Sequence, residues 1–239
     1  FILYSAKIID GATPPDPNTK TFFPKRLYFV SLMAFSNPSI SVLWPTILPS
    51  VNTILLTIEG KIVGHNTDIG GFENAIKDTK YNLLGKKVLV LGSGGVAPSI
   101  IFALYKMKVS TVILTNRTKS KAEYLQNLYN EIIKKNDWDE IRVVDWGELP
   151  EFDMVVNATS VGLKKDENLD LDFSKIGKNK FFYDVIYNPK ETNFLKKGKD
   201  LGNKIENGKK MFIFQAAEAF KIWHDVQPNI DDEVIKLLD

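Results

Sequence analysis

The sequence predicts an α/β protein with a doubly wound parallel sheet. Its clearest strand is the apolar run at residues 88–91, which is typical of a strand buried on both faces. A glycine-rich turn follows this run directly, and segments with helix and strand patterns then alternate along the chain. Because parallel strands are joined through helical crossovers, this alternation indicates a sheet with helices on both sides.

The individual elements follow from the periodicity and from the turn residues between them. Before the apolar run, a strand is expected at 51–58 and a returning strand at 61–64, joined by a turn at Glu59-Gly60. Asp68 is expected to cap a helix that reaches Lys77. Later strands are expected at 111–115, 141–144, 154–156 and 181–185. Later helices are expected from the glycine turn to residue 108, and at 119–135, 195–201, 211–223 and 231–238. The predicted buried face of the helix at 119–135 consists of Ala122, Leu125, Leu128 and Ile132.

The composition is that of an ordinary globular chain of 239 residues, with 44% hydrophobic and 25% charged residues. The net charge of +2 gives no reason to expect a nucleic-acid-binding protein, because such proteins are usually strongly basic. The absence of cysteine excludes disulfides and thiolate chemistry and suits a reducing compartment, so we expect a cytoplasmic protein. Only two histidines are present, and no apolar run reaches the roughly 18 residues of a membrane span. We therefore expect neither a metal site nor a membrane anchor.

The turn after the apolar strand has the spacing of a phosphate-binding loop, G-x-G-x-x-A. Gly92 permits the tight turn, Gly94 lets the backbone approach a pyrophosphate, and Ala97 keeps the following helix close to the strand. The free N–H groups and the dipole at the start of that helix attract the anion. The alternative is a glycine turn that serves only close packing, but its place between strand and helix favours a Rossmann-type dinucleotide site. The candidate residues are Gly92, Ser93, Gly94, Gly95, Val96 and Ala97.

The end of the next strand indicates which dinucleotide binds. A site for NAD usually has an Asp or Glu about 20 residues beyond the glycines, which binds the ribose hydroxyls. Here the sequence is Thr115-Asn116-Arg117-Thr118, with Lys121 one turn into the helix. Arg117 can stack on adenine and can pair with a 2′-phosphate, which a carboxylate would repel. Asn116 and Thr118 add neutral donors. The alternative is that Asn116 and Thr118 only start the helix and that the cations are solvated. The position of these residues at the end of a strand favours NADP binding over that alternative.

Several motifs between residue 51 and about residue 224 resemble, in order, those of the shikimate dehydrogenase (shikimate/quinate dehydrogenase) family. The substrate-side motifs are Val51-Asn52-Thr53 and the segment 66–72, Asn-Thr-Asp-Ile-Gly-Gly-Phe. The segment 157–162, Asn-Ala-Thr-Ser-Val-Gly, is similar to the N-A-T-S-x-G turn of the same family. Two spaced patterns complete the set: Asp184, Tyr187, Pro189 and Thr192, and then Gly208, Met211, Gln215, Phe220 and Trp223. With the glycine loop and Asn116-Arg117-Thr118, the ordered set is far more specific than any single motif.

The resemblance implies an NADP-dependent oxidoreductase that reversibly reduces 3-dehydroshikimate to shikimate in aromatic amino acid (chorismate) biosynthesis. It implies that Asp68 is half of a catalytic Lys–Asp pair and that Asn52 and Gln215 hydrogen-bond the ring hydroxyls. Singly, Asp68 can be a helix cap, Asn52 a turn residue and Gln215 a solvated side chain; the family order favours the site. The resemblance also implies residues along the cofactor: Thr159 and Ser160 on its path, and Tyr187, Gly208 and Met211 near the nicotinamide.

Two lobes are expected from the same resemblance. An NADP-binding domain is expected at 84–208, and a smaller α/β substrate-binding domain at 1–83 together with 209–239. In residues 1–50, Ser39-Ile40-Ser41 has the S-x-S spacing of the family element that binds the substrate carboxylate, but it has the wrong order and surroundings. The N-V-T-x-P-x-K element that supplies the catalytic lysine is not legible there, and Lys25 is not assigned to that role. Two hypotheses remain open: this stretch is truncated and read in a wrong frame, which we favour, or it is a divergent domain.

Two alternative functions also remain open. The first is a quinate/shikimate dehydrogenase paralogue, which the absence of an acidic residue beside Arg117 disfavours in its NAD-linked form. The second is a catalytically impaired NADP-binding remnant or sensor, which the missing lysine motif favours. In each case the expected partner is a small molecule, and the chain is expected to be a monomer or a homodimer.

Overall fold

A computed structural model describes residues 51–58, 61–164, 166–236 and 238. The expectations for residues 1–50, including both hypotheses about their origin, lie outside these residues, as does the turn at Glu59-Gly60. Within the described ranges, every strand and helix expected from the periodicity is present. Their bounds differ from the expected ones by a few residues.

Six parallel strands form the central sheet of the described chain, and two antiparallel strands precede it. The antiparallel pair is β1 (Thr53–Leu56) and β2 (Ile62–His65). The sheet contains β3 (Lys87–Leu91), β4 (Thr111–Thr115), β5 (Arg142–Val144), β6 (Met154–Asn157), β7 (Phe181–Asp184) and β8 (Lys204–Glu206), in the order β5-β4-β3-β6-β7-β8. All neighbouring strands in it are parallel. Because the chain winds outward from β3 in both directions, the predicted doubly wound α/β fold is confirmed.

The helices cover the sheet and pack on one another beside it. In the described part of the chain they are α1 (Asp68–Asp78), α2 (Ala97–Lys106), α3 (Lys119–Asn136), α4 (Asn193–Asp200), α5 (Lys209–His224) and α6 (Asp232–Lys236). Helix α1 packs mainly on α5 and also on α2, which brings the last long helix back beside the first. Over the described residues, we find no helix with the length and apolar character needed to cross a membrane.

Strand β3 shows how both faces of the sheet are buried. Val88 and Val90 lie in the larger apolar cluster with residues of α1, α2 and α3, whereas Leu89 and Leu91 lie in a smaller cluster with residues of α4. Alternate side chains of a strand point to opposite faces. A strand buried on both faces is therefore apolar at every position, as the run at 88–91 predicts.

Asp68 does not cap α1, contrary to the expectation from the sequence. The capping side chain is Asn66, whose Oδ1 accepts hydrogen bonds from the backbone N–H groups of Asp68 (3.1 Å) and Ile69 (3.3 Å). Asp68 is instead the first residue of the helix, at the positive end of its dipole. Its carboxylate is therefore not used in capping.

Two further elements differ from the prediction. The sequence does not predict β8, because three residues at a sheet edge, Lys-Ile-Glu, are too few to show a strand pattern. On α3, Tyr129 and Ile133 are buried, while Leu128 is only half-buried. The buried stripe of α3 is therefore turned relative to the predicted one, because contact with β4 and β5 decides which face points inward.

Candidate active site

A cavity of about 1120 Å³ opens at the carboxyl edge of the sheet. It is lined by residues that follow neighbouring strands within two positions: Trp146 after β5, Asn116 after β4, Gly92 after β3, Ala158 after β6 and Val185 after β7. The rest of the lining comes from the loops that continue after β3, β4, β6 and β7, from the start of β1, from Asp68 on α1 and from α5. Ligands of doubly wound sheets bind at this edge, where the winding direction reverses.

The glycine loop has the backbone that the sequence predicts. Gly92 has a φ of +100°, and a Cβ there would lie 2.7 Å from Thr159 Cγ2, so any other residue would be strained. A Cβ on Gly94 or Gly95 would meet no atom within 4 Å, so the backbone faces open space in the cavity. Ala97 begins α2 and is fully buried, which keeps the helix against the sheet. The loop thus presents the N-terminus of α2 to the cavity, where an anion is stabilised.

At the end of β4, Asn116 joins the glycine loop to the start of α3. Its Oδ1 accepts a hydrogen bond from the Ser93 backbone N–H (3.3 Å), and its Nδ2 donates to the Thr118 carbonyl (2.8 Å). Arg117 is exposed, lines the cavity and has no ion-pair partner among the described residues. Asp68, on α1, is the only acidic residue of the cavity lining in the described ranges. Apart from Asp68, no carboxylate of the described lining is available to pair with Arg117 in place of an anion.

Asn52, Thr67 and Gln215 form a hydrogen-bonded cluster beside α1 and α5. Asn52 Oδ1 accepts hydrogen bonds from the Thr67 backbone N–H (2.9 Å) and from Thr67 Oγ1 (3.1 Å). Thr67 is fully buried, and its Oγ1 also lies 3.3 Å from Gln215 Oε1. The single proton of this buried threonine hydroxyl is shared between the side-chain oxygens of two residues that the sequence predicts from separate motifs. Both of them line the cavity.

Asp68 lies beside this cluster and also lines the cavity. Burial raises the pKa of its carboxyl group, and a hydrogen bond from the Asn52 side chain partly opposes that increase in pKa. A carboxyl group with a raised pKa in a cleft is suited to proton transfer. No lysine lines the cavity within the described residues, so these residues do not supply the lysine that the resemblance implies.

Two glycines allow α1 to lie close enough to α5 for this cluster to form. A Cβ on Gly71 would lie 2.8 Å from Gln215 Cβ and 2.9 Å from the Met211 carbonyl oxygen. A Cβ on Gly70 would meet the carboxylate of Glu218, which would have to move aside. The Gly-Gly pair in the segment 66–72 is therefore explained by helix packing, which sets the distance between Asp68 and Gln215.

The loops after β6 and β7 are held by a buried network around Asp184. Its Oδ1 accepts hydrogen bonds from Asn157 Nδ2 (3.1 Å) and from the Ile186 backbone N–H (3.0 Å), and its Oδ2 accepts one from Thr192 Oγ1 (2.6 Å). Asn157 Oδ1 in turn accepts hydrogen bonds from the backbone N–H and hydroxyl group of Thr159. Burial raises the pKa of Asp184 to about 6, although all three of its partners lower it. The network thus orients the loops that bring Thr159 and Tyr187 to the cavity.

The structure brings most of the predicted site residues to one cavity. Those that line it are Asn52, Asp68, Gly92, Gly94, Gly95, Val96, Asn116, Arg117, Thr159, Ser160, Tyr187, Gly208, Met211 and Gln215. Four predicted residues are not part of the lining: Ser93, Ala97, Thr118 and Lys121. Across the described ranges, no group of three or more His, Cys, Asp or Glu side chains has the arrangement of a metal site.

Among the lining residues that were not predicted as site residues, two aromatic ones lie outside the sequence motifs, namely Trp146 and Phe212. Phe212 follows Met211 on α5, and its ring stacks on Tyr187 with the centroids 4.7 Å apart. Trp146 comes two residues after β5, and its position after a strand was the only available signal. Neither belongs to a recognisable short motif, so residue type and spacing alone did not single them out.

Comparison with known proteins agrees with this geometry. A family model described as Shikimate / quinate 5-dehydrogenase matches residues 73–190. The chain is 50% identical over 190 residues to a shikimate dehydrogenase (NADP(+)) of Pelagibacter ubique, covering 80% of this chain and 68% of that protein. It is 40% identical over 197 residues to a shikimate dehydrogenase (NADP(+)) of Caldicellulosiruptor bescii, covering 79% of this chain and 66% of that one. The chain thus spans about two thirds of the length of these relatives.

A solved structure shows the same fold. The shikimate 5-dehydrogenase of Thermus thermophilus, in complex with NADP(H) and shikimate, superposes with a TM-score of 0.70 at 30% identity. That alignment covers 83% of this chain and 71% of the other. On the strength of these matches, together with the cavity and its motifs, this chain belongs to the shikimate dehydrogenase family.

Proposed function

We propose that this chain is an NADP-dependent shikimate dehydrogenase, an oxidoreductase that reversibly reduces 3-dehydroshikimate to shikimate in aromatic amino acid (chorismate) biosynthesis. One observation carries the proposal: a single cavity joins the glycine loop to the cluster of Asn52, Asp68 and Gln215. A nucleotide and a small hydroxylated acid can therefore bind side by side. The relatives named shikimate dehydrogenase (NADP(+)) support the same reaction.

The residues at the nucleotide side of the cavity fit NADP. Gly94 and Gly95 leave the loop backbone open, which lets a pyrophosphate approach the start of α2. The Ser93 Oγ in the same loop is buried without a hydrogen-bond partner within the described chain. Beyond the loop, Arg117 offers a cation to a 2′-phosphate where an NAD site would have a carboxylate. The loop fits the pyrophosphate of either dinucleotide, and Arg117 favours NADP over NAD.

The remaining cofactor residues follow the path from the phosphate loop to α5. We assign the pyrophosphate to Gly92, Ser93, Gly94, Gly95, Val96 and Ala97, the 2′-phosphate and adenosine ribose to Asn116, Arg117, Thr118 and Lys121, and the nicotinamide half to Thr159, Ser160, Tyr187, Gly208 and Met211. Of these, Ser93, Ala97, Thr118 and Lys121 are not part of the cavity lining. We infer that Ser93 and Ala97 contribute through the shape of the loop, and Lys121 through its charge.

The chemistry at the other side of the cavity is proton transfer and orientation. NADPH, when bound, supplies the hydride that reduces the ring ketone. Asp68 takes part in exchanging the proton of the substrate oxygen, as one half of the catalytic Lys–Asp pair that the resemblance implies. Its raised pKa favours a carboxyl group that can hold a proton. Asn52 orients Asp68 through their hydrogen bond, and Gln215, held by Thr67, faces the ring hydroxyls.

The proposed organisation is two lobes. The parallel sheet lies within 84–208, which supports an NADP-binding domain of that extent. The packing of α1 on α5 supports a substrate-binding domain that joins 1–83 to 209–239. We propose a cytoplasmic protein that acts as a monomer or a homodimer; sedimentation of the purified chain distinguishes the two forms.

Absorbance of NADPH, followed as the purified chain is mixed with 3-dehydroshikimate, tests the function. We expect oxidation of NADPH and little oxidation of NADH. Quinate with NAD serves as the comparison, because this chain also resembles the quinate dehydrogenase of Corynebacterium glutamicum, solved in complex with NAD. The two structures superpose with a TM-score of 0.72 at 29% identity, and the alignment covers 81% of this chain and 68% of the quinate dehydrogenase. Faster turnover with quinate and NAD would overturn the assignment. NADPH binding without turnover of any cyclic acid would support the remnant instead.

A further inference from the structure

The two sides of the cavity have different chemistry. Asn52, Asp68 and Gln215 lie on the side of α1 and α5, so the reacting half of a dinucleotide must face that side. The glycine loop follows β3, between β4 and β6 in the sheet. A dinucleotide that crosses the loop therefore has its other half over the ends of β4 and β5.

The lining at the ends of β4 and β5 is small and contains one aromatic side chain. In the described ranges it consists of Asn116, Arg117 and Trp146. Asn116 is engaged by the glycine loop, and Arg117 supplies a charge. Trp146 alone offers a wide apolar ring there, because the other aromatic lining residues belong to the β7–α5 side: Tyr187, Phe212, Phe220 and Trp223.

Trp146 is held in a defined turn. The Glu148 backbone N–H donates to the Asp145 carbonyl (3.1 Å), which closes a four-residue turn with Trp146 at its second position. Gly147, at the third position, has a φ of +103°, which only glycine adopts readily and which this type of turn requires. The Asp145 carboxylate pairs with Lys119 Nζ (2.8 Å) at the start of α3. The turn is therefore tied to the same segment that carries Arg117.

Packing against the sheet also holds the indole ring of Trp146 in place. Trp146 is half-buried, packs against the smaller apolar cluster of the sheet and lines the cavity. A planar ring anchored in this way can stack on the π-face of a purine with little loss of conformational entropy.

We propose that Trp146 is a binding residue for the adenine ring of the dinucleotide. This inference rests on the proposed NADP function and extends it to a residue outside the motifs. It implies that the adenine site is built from two adjacent strand ends, with Arg117 taking the 2′-phosphate and Trp146 the base.

The test compares variants by calorimetric titration with two halves of the cofactor. The adenosine half is 2′,5′-ADP and the other half is reduced nicotinamide mononucleotide. Trp146→Leu keeps an apolar side chain but removes the ring, and Trp146→Phe restores a flat ring. Trp138→Phe is the matched control, because Trp138 stacks on Tyr105 with centroids 4.7 Å apart and does not line the cavity.

In Trp146→Leu we expect the Kd for 2′,5′-ADP and for NADPH to rise about tenfold, with the Kd for reduced nicotinamide mononucleotide unchanged. Trp146→Phe should recover most of the loss, and Trp138→Phe should bind all ligands like the wild type. Two results for Trp146→Leu would overturn the inference about Trp146 and leave the proposed function standing. They are an unchanged Kd for 2′,5′-ADP, or an equal loss of affinity for both halves of the cofactor. If the wild type itself does not bind 2′,5′-ADP or NADPH, the proposed function fails.

Discussion

Asp68 combines a raised pKa with a place in the cavity beside Asn52. We expect Asp68→Asn to lower kcat at least about 100-fold, because the amide cannot exchange a proton. The Kd for NADPH should be unchanged, since the phosphate loop is untouched. Steady-state kinetics and NADPH titration provide the measurement. Asp78→Asn, at the other end of α1, is the control and should keep wild-type kcat.

Arg117 is the residue on which the choice of NADP depends. We expect Arg117→Ala to weaken NADPH binding by tenfold or more, roughly the loss of one charge-assisted hydrogen bond, and to leave NADH binding unchanged. Titrating both nucleotides measures the ratio directly. Arg142→Ala, at an exposed arginine on β5 that does not line the cavity, should behave like the wild type. An equal loss for NADPH and NADH would argue against a 2′-phosphate contact.

At the scale of elements, the contact between α1 and α5 depends on Gly71. Alanine in place of a helical glycine ordinarily stabilises a helix by up to about 1 kcal/mol. Here the added Cβ would meet Gln215 and the Met211 carbonyl, so we expect Gly71→Ala to lower the free energy of unfolding by roughly 1–3 kcal/mol and to lower kcat. Urea unfolding measures the first effect. Gly177→Ala, whose Cβ would meet no atom within 4 Å, is the control.

The loops after β6 and β7 depend on the buried carboxyl group of Asp184. Its pKa is raised from 3.8 to about 6, so folding favours the protonated form. The stabilisation is complete below about pH 4 and is lost as the pH rises through 6, by about 3 kcal/mol in all.

Asp184→Asn removes this titration while keeping a side chain of the same shape. Relative to the wild type, its free energy of unfolding should increase by about 2.4 kcal/mol between pH 4 and pH 8, as measured by urea unfolding at both pH values. A constant difference between the two proteins would contradict the burial of a titrating carboxyl group.

At the scale of the whole molecule, the cavity is lined by the sheet and by the helices on its other side, so a bound dinucleotide contacts both. We expect NADPH at a hundredfold excess over its Kd to stabilise the fold by about 2.7 kcal/mol. NADH at the same concentration should stabilise it less. Calorimetric melting shows the difference, and a Tm unaffected by NADPH would contradict nucleotide binding.

The sequence predicted correctly those features that depend only on residues close together along the chain. The apolar run at 88–91 and the glycine loop directly after it predict the central strand and the phosphate site, because burial period and turn geometry depend on neighbouring residues. The absence of a carboxylate beside Arg117 is equally readable. The cap of α1 was assigned wrongly to Asp68, because Asn66, Thr67 and Asp68 are all plausible caps and only geometry distinguishes them.

The sequence by itself determined the fold class, the dinucleotide loop and the family, since each follows from residue type and spacing along the chain. The tertiary structure alone decided how Thr67 joins Asn52 to Gln215, and how Trp146 reaches the cavity beside Arg117. The first contact depends on the close packing of α1 on α5, and the second on the order of parallel strands, whose carboxyl ends share one edge. Both are long-range arrangements, set by which elements pack together, and no local pattern encodes them.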